Sequence, residues 1–146
     1  MTNIETQIEG NEKLIHIFGH WPSFHDAEVI DLHLWRDDSG TERSHPRFPV
    51  FTSKIHLWEL TNEIDERGHY VLRNHTVTTL RFHDVLDLEI EGFRNQNVIF
   101  GLKIESQEHS EGPWKRSFAV EFEPTSEFAA TFRCSRIEVI DAIPWT

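Results

Sequence analysis

"VLDLEIEGFRNQNVIFGLKIES", residues 85–106, decides the fold class. In its first half Leu86, Leu88 and Ile90 fall on one side, while Asp87, Glu89 and Glu91 fall on the other. "RNQN" breaks the run, and Val98, Phe100, Leu102 and Ile104 then share a face. A repeat of two is the mark of a half-buried strand, because successive side chains point to opposite sides of a sheet. One polar face argues for antiparallel pairing, since strands buried on both sides read as unbroken apolar runs.

The same period extends in both directions. In "SFAVEFE" (117–123), Phe118, Val120 and Phe122 point in, and Glu121 and Glu123 point out. "ATFRCSRIEVID" (130–141) reads as one last strand whose apolar phase slips between Cys134 and Ile137, which predicts a bulge. Upstream, "EVIDLHLWR" (28–36) sets Ile30, Leu32 and Leu34 against Asp31, His33 and Trp35. "KIHLWEL" (54–60) and the β-branched "TVTTLRFH" (76–83) supply two more strands. "DDSGTERSHPRFP" (37–49), "TNEIDERGH" (61–69) and "SEGP" (110–113) read as loops or turns. Only "NEKLIHIFG" (11–19) reads as a helix, with Asn11 as its cap and Gly19 as its stop. With no helices between the strands, parallel crossovers are disfavoured. The expected fold is mostly β (α+β): an antiparallel curved sheet of about seven strands, closed up as a sandwich or open barrel, with one short N-terminal helix. Residues 1–10 read as a flexible N-terminus and 11–146 as a single β domain.

Composition narrows the function. The 146 residues hold 25 Asp and Glu against 14 Lys and Arg, a formal charge of −11. Phosphates would meet carboxylates, which argues against nucleic acid and against an anionic membrane. Such a charge suits solubility, and equally a basic partner. Eleven Phe and five Trp give a chain of this length enough bulk for a core. Cys134 is the lone cysteine, so no internal disulfide forms and a reducing cytoplasm is the expected compartment. "MTNIETQIEG" has neither a basic segment nor an apolar run, which predicts no signal peptide.

"GHWPSFHDAEV" (19–29) is the densest stretch chemically. His20, His25, Asp26 and Glu28 are ligand types for a divalent ion, but the spacing matches no zinc signature. His25 beside Asp26, with Ser23 as nucleophile, is the catalytic reading; adjacent residues at a strand mouth tend to point apart, and no Gly-x-Ser-x-Gly elbow is present. The structural reading makes Trp21, Ser23, Phe24, His25, Asp26 and Glu28 a hydrogen-bonded corner: Ser23 or Asp26 caps backbone donors, and Trp21 and Phe24 anchor the helix on the sheet. It is the favoured one, with no metal and no cofactor called for. "FHD" recurs at Phe82–Asp84, again just before a strand.

The second constellation is acidic. Asp87, Glu89 and Glu91 project from one strand and Glu121 and Glu123 from another. If strand order brings them together they form one negative field, either a solvated surface or a docking site for a Lys/Arg-rich protein. Trp35, Trp58 and Trp114 are the candidate aromatic anchors. A sheet cavity for a small apolar ligand is a further possibility.

On these residues the chain resembles a known family. "FGHWPSFHDAEV" (18–29) carries a Trp-x-Ser-Phe-His-Asp-x-Glu core at Trp21, Ser23, Phe24, His25, Asp26 and Glu28. "DLEIEGFRNQNVIFGLKI" (87–104) carries Phe93, Gln96 and Asn97, with Arg94 where the pattern has Asn, and "FRCSRIEVIDAIP" (132–144) is similar at the close. These stretches resemble the immunity protein 50 family of bacterial toxin–immunity systems. The resemblance implies an antitoxin without enzymatic activity, encoded beside a polymorphic toxin and neutralising it by binding. It assigns no catalytic residue. The partner expected is a cognate, basic toxin protein, with this chain a monomer or, through an edge strand, a homodimer.

Overall fold

A computed structural model describes residues 4–36, 48–109 and 116–145. Over those residues the chain forms a 3-10 turn (Ile4–Gln7), helix α1 (Glu12–Phe18) and eight strands. These are β1 (Glu28–Arg36), β2 (Pro49–Ile64), β3 (Tyr70–His83), β4 (Leu86–Glu91), β5 (Ile99–Glu108), β6 (Arg116–Pro124), β7 (Ala129–Cys134) and β8 (Arg136–Pro144). They pair antiparallel in two four-stranded sheets. The first has the order β1-β2-β3-β8 and the second β4-β7-β6-β5. The expected mostly-β architecture therefore takes the sandwich form and does not close into a barrel.

Phenylalanine holds the layers together. Phe51 of the first sheet lies 5.3 Å from Phe132 of the second, and Phe82 lies 4.9 Å from the same ring; Phe122 completes the cluster. Such ring pairs add about 0.5–1.5 kcal/mol each beyond the area they bury. The core also takes in Leu14 and Phe18 of α1, so the helix is packed on the sheets along one stripe.

The slipped phase near Cys134 is not a bulge within one strand. The chain leaves the second sheet at Cys134 and enters the first at Arg136, with Ser135 as the hinge. Crossing between layers exchanges the inward and outward sides, and an apolar pattern records that as a slip. This is why the count is eight and not about seven. The passage from β3 to β4 crosses at the same place: Ser135 donates its N–H to His83 O at 2.9 Å and its hydroxyl to Asp84.

Bulges do occur elsewhere. β1 shifts register between Val29 and Asp31, so Val29 is buried and Ile30 is 38% exposed. β5 shifts between Ile99 and Gly101, so Ile99 is buried and Phe100 is 56% exposed, the reverse of the phase expected at Phe100. Leu102 and Ile104 keep the expected side and pack on the core.

Only the start of "TNEIDERGH" departs from the loop expected there: β2 runs on to Ile64, and residues 65–69 form the turn into β3, where Asp65 Oδ1 accepts the N–H groups of Arg67 and His69, both at 2.9 Å. Charges on a strand that extends beyond the sandwich cost little, so composition alone imitates a loop there. The N-terminal segment, expected to be loose, is tied down from residue 4 onward. Ile8 is buried, and Glu9 bridges β8 by accepting the N–H of Val139 (2.7 Å) and donating its own N–H to Ile137 O (2.9 Å). Asn11 precedes α1 as expected, but its side chain turns back to Glu5 O rather than capping the helix; Gly19, at φ 81, ends it with N–H on Ile15 O. The readings at 37–47, at 110–113 and at Trp114 lie outside the described residues.

Candidate functional site

The "GHWPSFHDAEV" stretch is a corner, and its partner is the second stretch that carries the family likeness. Phe24 and Asp26 both take φ 62, which turns the chain twice within three residues. That conformation is unfavourable for a bulky side chain, and the burial of Phe24 in the core compensates for it. Trp21 lies 5.7 Å from the Phe24 ring. Asp26 N–H donates to Ile99 O at 3.0 Å, Ile99 N–H to Ala27 O at 2.9 Å, and Val29 N–H to Asn97 O at 2.9 Å. Asn97 is buried, and its amide closes the join: Nδ2 donates to Arg94 O (2.7 Å) and Val29 O (3.3 Å), while Oδ1 accepts the Arg94 N–H (2.7 Å). The contact uses the backbone of Arg94, so a residue other than Asn is accommodated at that position.

The polar residues of the corner are spent on the fold. Ser23 Oγ accepts the backbone N–H of His25 at 3.2 Å. The His25 ring sets Nδ1 at 2.9 Å from Phe100 O, which places the proton on that nitrogen, and packs edge-on to the Phe100 ring at 5.1 Å. Its Nε2 faces Asp26 at 3.5 Å, with both side chains about half exposed. A nucleophile relay needs a ring nitrogen on the serine hydroxyl, and that hydroxyl is engaged by the backbone instead. Glu28 does not join His25; it stands opposite His56 on the outer face of the first sheet. Among the described residues no three His, Cys, Asp or Glu side chains are placed to hold a metal ion. The second "FHD" behaves like the first, with Asp84 at φ 58 where β3 turns into the other sheet. Cys134 sits at the neighbouring crossing, its thiol pushed up to about 12 chiefly by burial, so it is a core residue and not a nucleophile.

The acidic strands are not neighbours. β7 lies between β4 and β6. Register nevertheless puts their carboxylates on one surface. Glu89 and Glu121 both stand opposite Thr131, Glu91 stands opposite Ala129, and Glu123 stands opposite Gly101. Two strand spacings, about 10 Å, separate Glu89 from Glu121. That is close to a Debye length in ordinary salt, so their repulsion is muted while their far field adds. Asp87 accepts Arg133 Nη2 at 2.6 Å and Lys103 lies 3.4 Å from Glu105, so among the described residues of this outer face six carboxylates meet two cations. A shallow depression of ≈ 380 Å³, lined in part by Asp87, Glu105, Glu121 and Thr131, opens in the middle.

The tryptophans lie elsewhere. Trp35 stands opposite Val50, and Trp58 alternates with buried Leu57, which puts both on the outer face of the first sheet, across the sandwich from the carboxylates. Trp58 belongs to a cluster that sequence reasoning missed. His56 Nε2 and His75 Nδ1 are hydrogen-bonded at 3.1 Å, Trp58 lies 5.1 Å from His56, and Trp145 stacks on His56 at 4.3 Å. Burial, with His75 as a second cause, lowers the pKa of His56. The His-x-Trp spacing at 56–58 is a trace of this cluster, but nothing in the pattern brings Trp145 to it.

The architecture and its corner thus define a small β-sandwich, acidic in composition, whose densest motif is engaged in hydrogen bonds that join two distant stretches of the chain. The chain belongs to the immunity protein 50 family, whose model matches residues 10–144. No curated protein and no solved structure matches it. As a family member it has an immunity role, and with that a toxin as partner.

Proposed function

We propose that this protein neutralises a cognate bacterial toxin in the cytoplasm by direct one-to-one binding, through the outer face of the second sheet, and catalyses nothing. The observation that carries this reading is the gathering of Glu89, Glu91, Glu121 and Glu123 on one surface, although they come from strands that do not pair. Such a face speeds encounter with a basic protein and selects against acidic ones. The toxin is therefore basic, and its Lys and Arg side chains, those that would otherwise grip a substrate, seat against the carboxylates around the central depression. Trp35 and Trp58 point away from this surface and take no part in it.

The test is co-expression and direct binding with the toxin encoded beside this gene. The wild type should protect cells and titrate the purified toxin at a ratio of one to one. Lack of protection, or substrate turnover by the immunity protein acting alone, would overturn the reading.

A further inference from the structure

The outer face of the first sheet differs in kind from the acidic one. Register aligns Glu28, His56, Val77 and Ile143 in one row across its four strands, and Asp31, Lys54, Thr79 and Asp141 in the next. A third row carries His33, Thr52, Arg81 and Glu138. Along these rows the carboxylates Glu28, Asp31, Asp141 and Glu138 meet Lys54, Arg81 and Arg136; Arg136 lies 3.5 Å from Glu138 and also pairs with Glu9 of the N-terminal segment. Among the described residues this face is less one-sided in charge than the acidic one, where six carboxylates meet two cations.

It is also apolar at one end. Beyond the Trp58, Trp145, His56 and His75 cluster the β2–β3 hairpin projects past the sandwich, with Leu60 paired to Leu72 on the side of Trp58. Leu60 is 65% exposed, Ile143 54%, Trp145 49% and Leu72 37%. Large apolar side chains gathered in one exposed patch, next to paired aromatics, mark a surface that another surface covers.

We propose that this face binds a second copy of the same chain across a two-fold axis. Charge selects that occupant. A strongly basic protein finds little to pair with here, whereas two acidic molecules can meet through this face without opposing their carboxylates. With about 4.8 Å between strands and about 3.3 Å per residue, the face has an extent on the order of 500 Å² in projection. Side-chain relief brings that toward the about 800 Å² each partner contributes to a stable dimer. A two-fold contact is self-complementary, so Leu60 and Leu72 of one hairpin would meet the tryptophan cluster of the other copy. Both acidic faces then point outward, which gives a two-to-two complex with toxin. The dimer does not depend on the toxin reading and is tested without any toxin.

The experiment is sedimentation equilibrium of the untagged full chain across about 1–200 μM, with the Leu60→Glu/Leu72→Glu double variant beside it. The wild type should be dimeric in the upper part of that range. The variant, altered at exposed positions, should keep the wild-type circular dichroism and weaken dimerisation about 100-fold. Diluting the unmodified protein should shift tryptophan emission to longer wavelength as Trp58 and Trp145 gain water, a reading that needs no variant. A wild type monomeric throughout, a double variant as dimeric as the wild type, or emission that does not respond to dilution would each overturn the proposal.

Discussion

Asn97 shows how one side chain fixes the meeting of two distant stretches. Its buried amide satisfies the carbonyl of Val29, shielded from water, and the N–H and C=O of the more exposed Arg94. Truncation leaves these groups without partners, and each buried orphan costs about 1–3 kcal/mol. Asn97→Ala should therefore lower stability by about 2–4 kcal/mol in a urea titration, more than His25→Ala, whose ring is about half exposed. His56 offers a second test. Its pKa is lowered by burial and by His75, with Glu28 opposite it across β1. The unfolded chain then binds a proton at higher pH than the folded one, so stability is retained above about 6.5 and falls as pH drops below that value. His56→Phe keeps the stack on Trp145 without titrating, so its melting temperature should fall less than that of the wild type between pH 7.5 and 5. Glu138 acts in a lower window. The His83 hydrogen bond lowers its pKa, so its contribution persists above about 4.5 and is lost in more acid solution.

Among the elements, legibility followed the regularity of alternation. β6 was plain in the sequence, because Phe118, Val120 and Phe122 pair in strict register with β7. β1 and β5 were legible as strands, but each hides one bulge, and a bulge reverses the side on which a neighbouring residue falls, as at Ile30 and Phe100. The junction of β7 and β8 looks like a bulge in the sequence because a crossing between layers leaves the same trace in one dimension. The corner was legible as a corner, since Pro22 and the polar residues after it call for a turn, while its pairing with Asn97 depends on a contact between strand edges that no local pattern encodes. The tie between the N-terminal segment and β8 was not legible either, and it rests on Gly10. With φ 75, a β-carbon there would lie 2.5 Å from Val139 O. Gly10→Ala should push the segment off the edge of β8, costing at least about 2 kcal/mol and exposing residues 4–10 to proteolysis while the two sheets persist.

The molecule as a whole separates its charges by side. Among the described residues one outer face carries six carboxylates against two cations, and the other is closer to balance and richer in aromatic side chains. Association with a basic toxin should therefore respond to salt through the first face alone. Charge reversal at Glu89, Glu91 and Glu121 should slow association about ten-fold or more at low ionic strength and flatten its salt dependence in stopped-flow measurements. Substitution of Trp35 should leave the association rate as it was. Equal rates for the glutamate variants and the wild type would remove those residues from the interface.

The bridge from Glu9 to Glu138 joins the segment before α1 to the last of the described strands. Residues 136–144 pair with β3 and so complete the first sheet, yet of the eight strands described they leave the ribosome last. Strand pairings this distant along the chain form late. At about 5–20 residues per second the nascent polypeptide waits several seconds before its edge can be sealed. A chain that stops short of residue 136 therefore leaves both the open side of β3 and the Glu9 segment without their partner, and should be cleared by proteolysis instead of accumulating.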